Sequence, residues 1–121
     1  MDDIKEFKLN TRKNAHSVLP ELFHDIECIE KLKKSLAQYM FISFSDDEDP
    51  EIGAYIRYID RRDFPVVLKN GGYVVDYNTE TITLRGGKRV WKIYKEFCYI
   101  FQKKRRSDYL LEAAANLIHR F

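Results

Sequence analysis

Apolar side chains recur at helical spacing along the first third of the chain. Leu22, Ile26, Ile29, Leu32, Leu36 and Tyr39 fall on one stripe. Pro20 stands where the first turn of a helix accepts proline. The acids Glu21, Asp25, Glu27 and Glu30 come early and Lys31, Lys33 and Lys34 late, the order that a helix dipole favours. Together these predict a helix over about 20–39. A second stripe, Leu110, Leu111, Ala114, Leu117, Ile118 and Phe121, predicts a C-terminal helix over about 108–120, capped by Ser107 or Asp108. Residues 1–16 are ambiguous: Ile4, Phe7 and Leu9 suit an arm or a short strand, and the polar run 10–14 reads as a loop.

Between the helices the period changes. Residues 40–44 and 55–59 are β-branched and aromatic, as strands are, with an acidic loop between them. Pro65 opens Val66-Val67-Leu68, and Asn70-Gly71-Gly72 predicts a hairpin turn because its glycines accept positive φ. Residues 73–77 and 81–85 flank Asn78-Thr79-Glu80, a second hairpin, and Gly86-Gly87 makes a third turn. Residues 88–102 fit either period. As a strand, Trp91, Ile93, Phe97, Tyr99 and Phe101 share a face; as a helix, Val90, Tyr94, Phe97 and Phe101 align. Their aromatic and β-branched richness favours strand, with a bend near Lys95-Glu96 because fifteen residues is long for one strand. The expectation is a single α+β domain over residues 1–121, an antiparallel β-sheet of about four to six strands flanked by the two helices.

Composition narrows the class. A 45% apolar and 33% charged chain of 121 residues can bury a core, which excludes an intrinsically disordered segment. The longest uncharged run, residues 35–45, is too short to span a bilayer, so no membrane partner is expected. Cys28 and Cys98 make no disulfide framework. Without a signal peptide pattern at Met1-Asp2-Asp3, the expectation is an intracellular protein, cytoplasmic, or nuclear in a eukaryotic host.

Charge adds a candidate site. Residues 1–63 carry net −4 and residues 64–121 net +6. The acidic peak is Asp46-Asp47-Glu48-Asp49-Pro50-Glu51. The basic peak spans residues 85–106, nine basic side chains against one acid, a local +8 threaded with Trp91, Tyr94, Phe97, Tyr99 and Phe101. Cations hold phosphates, and aromatic faces stack on bases. Arg85, Lys88, Arg89, Lys92, Lys103, Lys104, Arg105 and Arg106 are therefore the candidate phosphate contacts, and Trp91 and Tyr94 the candidate stacking residues. Cations at the start of the last helix also oppose its dipole, which an anion bound there or the 46–51 acids would offset. The four basic residues 103–106 also fit a short nuclear-import patch.

Catalytic signatures are lacking. The chain holds no Gly-x-Ser-x-Gly elbow, no His-Glu-x-x-His and no phosphate-cradling Gly-rich loop, so a non-enzyme without cofactor is expected. His24, Cys28, Cys98 and His119 could compose a zinc site only across the fold, and no Cys-x-x-Cys pair supports one, so no metal is expected. Residues 95–102 partly resemble the basic-aromatic core strand of RNA recognition motifs: Lys95, Phe97, Tyr99 and Ile100 match, whereas Glu96 and Gln102 replace a glycine and an aromatic. The basic run before Ala113, Ala114 and Ala115 is partly similar to double-stranded RNA-binding domains, but at the wrong spacing. Neither family is assigned. The leading expectation is a small nucleic-acid-binding or regulatory protein, with DNA and RNA both open. The alternative is a protein-interaction module or homodimeric regulator acting through exposed tyrosines such as Tyr55, Tyr58, Tyr73, Tyr77 and Tyr94, alongside Arg57, Arg61 and Arg62.

Overall fold

The computed structural model describes residues 13–119. The predicted class is the one observed, an α+β fold with helices flanking an antiparallel sheet. The arm or strand expected around Ile4, Phe7 and Leu9 lies outside the described residues.

The N-terminal helical region is two helices, α1 (Ala15–Leu22) and α2 (Ile26–Ser35), rather than one helix over 20–39. The break has a local cause. Asp25 is extended, and its side-chain carboxylate accepts hydrogen bonds from the backbone N–H groups of Glu27 and Cys28, starting a new helix. Pro20 lies inside α1 instead of opening it. The C-terminal helix α3 runs Arg106–His119. Asp108, in its first turn, reaches back to the backbone N–H of Arg105 at 2.8 Å, the reciprocal half of a capping box.

Six strands follow in the chain: β1 (Tyr39–Ile42), β2 (Tyr55–Asp60), β3 (Leu68–Tyr77), β4 (Thr81–Gly86), β5 (Arg89–Tyr94) and β6 (Cys98–Lys103). In space their order is β1-β6-β2-β3-β4-β5, every pairing antiparallel. The turns at 78–80 and 86–87 form as expected. Asn78 closes the first by accepting from the N–H groups of Glu80 and Thr81, and Gly87 takes a positive φ of 62° in the second.

The Asn70-Gly71-Gly72 hairpin does not form; β3 runs straight through it. Those glycines serve packing instead. A Cβ on Gly71 would lie 1.8 Å from the Ile56 carbonyl oxygen, and one on Gly72 would lie 2.6 Å from that of Arg85. They let β2, β3 and β4 approach closely where the β2–β3 register shifts. The bend in residues 88–102 is a 3-10 turn over Lys95–Phe97. It also exchanges faces, so Trp91 and Ile93 share a face with Cys98 and Ile100, while Tyr99 and Phe101 turn to the other.

Each sheet face has its own core. On the outer face α1 and α2 bury Ala15, Leu19, Ile29, Leu32 and Leu36 against Ile59 and Phe101. The inner face collects Ile42, Ile56, Val74, Ile82, Leu84, Ile93 and Ile100, drawn from all six strands, with no helical residue among those described. These side chains can be so thoroughly buried only because the sheet rolls around them. The segment after β1 closes the roll. Phe44 packs on this cluster, and the ammonium of Lys95 lies over the rings of Phe44 (5.0 Å) and Tyr77 (5.4 Å) while pairing with Asp49 at 3.5 Å.

Candidate nucleic-acid interface

Outside the footprint of α1 and α2 the outer face is open, and register decides what it shows. Tyr39 pairs with Lys103 across β1 and β6. Gln102 pairs with Ile56, which sets Lys103 beside Tyr55. Tyr55 then pairs with Tyr73, Tyr73 with Arg85, and Arg85 with Val90. One row, Tyr39, Lys103, Tyr55, Tyr73, Arg85 and Val90, thus crosses all six strands, about 24 Å at the usual strand spacing. Next to it on the same face lie Lys92, opposite Thr83, and then Tyr94, opposite Thr81. On the helix side of the row, Arg57 pairs with Phe101.

The row is not flat. The rings of Tyr55 and Tyr73 meet edge to face, 5.2 Å between centroids. Tyr73 stands between two hollows that both reach Gly53. One, about 380 Å³, is lined by Tyr39, Tyr55, Lys103, Lys104 and Arg105. The other, about 510 Å³, is lined by Ile52, Val75, Arg85 and Gly87. Tyr73 is 57% exposed, the most open of the row's rings. Burial raises the pKa of the Tyr39 phenol; the Arg57 cation opposes the rise and Tyr55 adds to it. The phenol therefore stays a protonated hydrogen-bond donor at neutral pH.

Electrostatics favour anions here. Arg57, Arg85, Lys92 and Lys103 have no ion pair with a described residue, and Asp76, opposite Thr83, is the acid nearest Lys92 on this face. The Arg57 Nε is buried and without a hydrogen-bond partner among the described residues.

The basic segment of the sequence is therefore divided. Arg85, Lys92, Tyr94 and Lys103 share the open outer face, with Lys104 and Arg105 at the rim of one hollow. Arg105 is engaged by Glu51 at 3.2 Å and by the Ile52 carbonyl oxygen at 3.0 Å, so the acidic loop does offset part of the cluster. Lys104 lies over the Tyr109 ring at 5.5 Å. Lys88 is exposed in the β4–β5 turn, and Arg106 is exposed at the first position of α3. Trp91 departs from its expected place. It turns to the inner face, where a Cβ on Gly72 or Gly86 would touch its ring at 3.2 Å, and Arg89 follows it, 5.6 Å over the ring. Trp91 is thus a packing residue, and Tyr73 presents the ring to solvent instead.

Tyr39, Tyr55, Arg57 and Tyr73 lie outside the basic segment, and only strand pairing brings them to it. The alternation of Tyr55, Arg57 and Ile59 against Ile56 and Tyr58 was the available sign that the first two share an outward face. Cys28 packs in the outer-face core and Cys98 in the inner-face core, so the sheet separates the two thiols considered for zinc. No group of three or more potential metal-ligating side chains occurs among the described residues, and no described helix is long and apolar enough to cross a membrane. No protein-family model, curated protein or solved structure matches the chain.

Proposed function

We propose that the protein is a non-catalytic nucleic-acid binder that works through the outer face of its sheet. The observation that carries this reading is the row in which Lys103 and Arg85 flank Tyr55 and Tyr73, cations without ion pairs beside rings open to solvent. Phosphates and bases need those two kinds of group side by side. Arg57 and Lys92 extend the positive field to either side of the row, and Lys88 and Arg106 lie at its margins. Such a binder acts inside the cell, in the cytoplasm or in the nucleus of a eukaryotic host. The test is fluorescence-anisotropy titration of labelled DNA and RNA at several salt concentrations, with the variant Arg85→Glu/Lys92→Glu/Lys103→Glu alongside. Binding that weakens steeply with salt and disappears in the variant is expected. Undiminished binding by the variant would remove the outer face as the site.

A second reading rests on a different region. Phe64 is 97% exposed, and with Ile26, Val66 and Val67 it surrounds a hollow of about 530 Å³ beside the start of α2, at the opposite end of β2 and β3 from the tyrosine row. Exposed apolar groups gathered this way suit a protein contact, including a homodimer. A sedimentation mass that rises with concentration and reverts to monomer in Phe64→Ser would support it.

A further inference from the structure

We infer that the nucleic acid held on this face is single-stranded, with an unpaired base stacked on Tyr73 and the flanking phosphates taken by Lys103 on one side and Arg85 on the other. The inference rests on the nucleic-acid reading above and sharpens it. Three observations lead to it. First, Tyr73 separates the two hollows, and each hollow has its own cation, Lys103 in one and Arg85 in the other. A chain passing over Tyr73 therefore meets cation, ring and cation in succession. Second, the Tyr55 ring meets Tyr73 edge to face and props it, while Tyr73 remains largely exposed. A stacking platform needs a ring held in place yet open to solvent. Third, the row lies in a sheet face and not on a protruding helix or ribbon. A duplex keeps its bases paired and stacked inside, and proteins read it by inserting an element into a groove. Against this face a duplex presents phosphates alone and leaves Tyr73 without a partner. A single strand can splay a base onto the ring.

The experiment uses the whole protein and three probes of equal length and equal label. These are a mixed-sequence single strand, the same sequence as a duplex, and a strand of abasic residues that keeps the phosphates. The single strand should bind at least ten times more tightly than the duplex, and the abasic strand should lose that advantage. Tyr73→Ala should weaken single-strand binding on the order of 10-fold, leave its salt dependence in place and leave the abasic strand unaffected. Tyr73→Phe should bind as wild type, because stacking needs the ring and not the hydroxyl. The side chain is exposed, so neither variant should shift thermal unfolding appreciably. Duplex binding as tight as single-strand binding, or abasic binding as tight as that of the normal strand, would overturn the inference while leaving nucleic-acid binding standing. Failure of all three probes to bind at low salt would remove the underlying reading and the inference with it.

Discussion

Replacing Lys103 by Ala removes one of four cations, Arg57, Arg85, Lys92 and Lys103, that share the outer face without an ion pair to a described residue. Each phosphate neutralised on a single strand contributes about −0.7 to the slope of log affinity against log salt. Four contacts give a slope of about −2.8 and three give about −2.1. Raising salt from about 50 to about 200 mM should then weaken wild-type binding about 50-fold and Lys103→Ala binding only about 20-fold. The variant should also bind less tightly than wild type at the lower salt. Lys103 is exposed, so the fold should survive, and an unchanged far-ultraviolet circular dichroism spectrum would verify that. Lys34→Ala serves as control, since Lys34 lies in the last turn of α2, away from the open face. Anisotropy titrations at four or five salt concentrations measure the slopes. An unaltered slope in Lys103→Ala would refute the place of this lysine in the phosphate path. An equal fall in Lys34→Ala would show that attraction is spread over the whole surface rather than concentrated on one face.

Three further outcomes probe the scaffold. The Asp60 carboxylate accepts from the backbone N–H, Nε and Nη2 of Arg62 at 2.9, 3.0 and 2.7 Å, and these bonds bring its pKa down to about 2. Because that value lies below the unfolded one, the stabilisation, about 2 kcal/mol, is complete at neutral pH and is lost as pH falls from about 4 to about 2. Asp60→Asn should therefore lower urea-unfolding stability at pH 7 by about that much and flatten its decline across the acid range. Gly71→Ala should cost several kcal/mol and lower the thermal midpoint sharply, since its Cβ would enter the Ile56 backbone; Gly87→Ala, with open space around it but φ at 62°, should cost only about 1–2 kcal/mol. A thiol reagent at pH 8 should label Cys28 and spare Cys98 until the protein unfolds, because burial and the nearby Asp60 charge raise the Cys98 thiol to about 11.

What was legible along the chain was what neighbours determine. Asn78 folds back on Glu80 and Thr81, and Gly87 supplies its positive φ, so those turns could be recognised from a few residues. Alternation marked the strands for the same reason. The break at Asp25 was less visible, because the apolar stripe continues across it, and an N-cap looks like an ordinary acid until its carboxylate is seen on Glu27 and Cys28. Asn70-Gly71-Gly72 misled because glycine answers two demands, a turn or a close approach, and only the neighbouring strands show which one applies. The candidate site was half legible. Charge density identified Arg85, Lys92 and Lys103, but Tyr73 and Tyr55 join them through cross-strand register, to which residues far apart in sequence contribute. Trp91 was misplaced because the face a strand residue occupies depends on the parity of everything between it and the sheet, and the 3-10 turn at Lys95–Phe97 changes that parity.

The position of β6 imposes an order of events on folding. β2, β3, β4 and β5 can zip together as successive hairpins while the chain is still being made, each needing only the strand before it. β1 cannot join them. Its place beside β2 is occupied by β6, whose last residue, Lys103, is among the last made before α3. Until β6 inserts, β2 has a bare edge, and α1 and α2 have no Phe101 beneath them. A nascent chain stalled short of residue 98 would hold a formed meander, two unmoored helices and an unpaired strand edge able to accept strands from elsewhere, the kind of species chaperones attend. Completion is thus a single late step that unites the two halves, and Lys103 reaches Tyr55 only when it occurs.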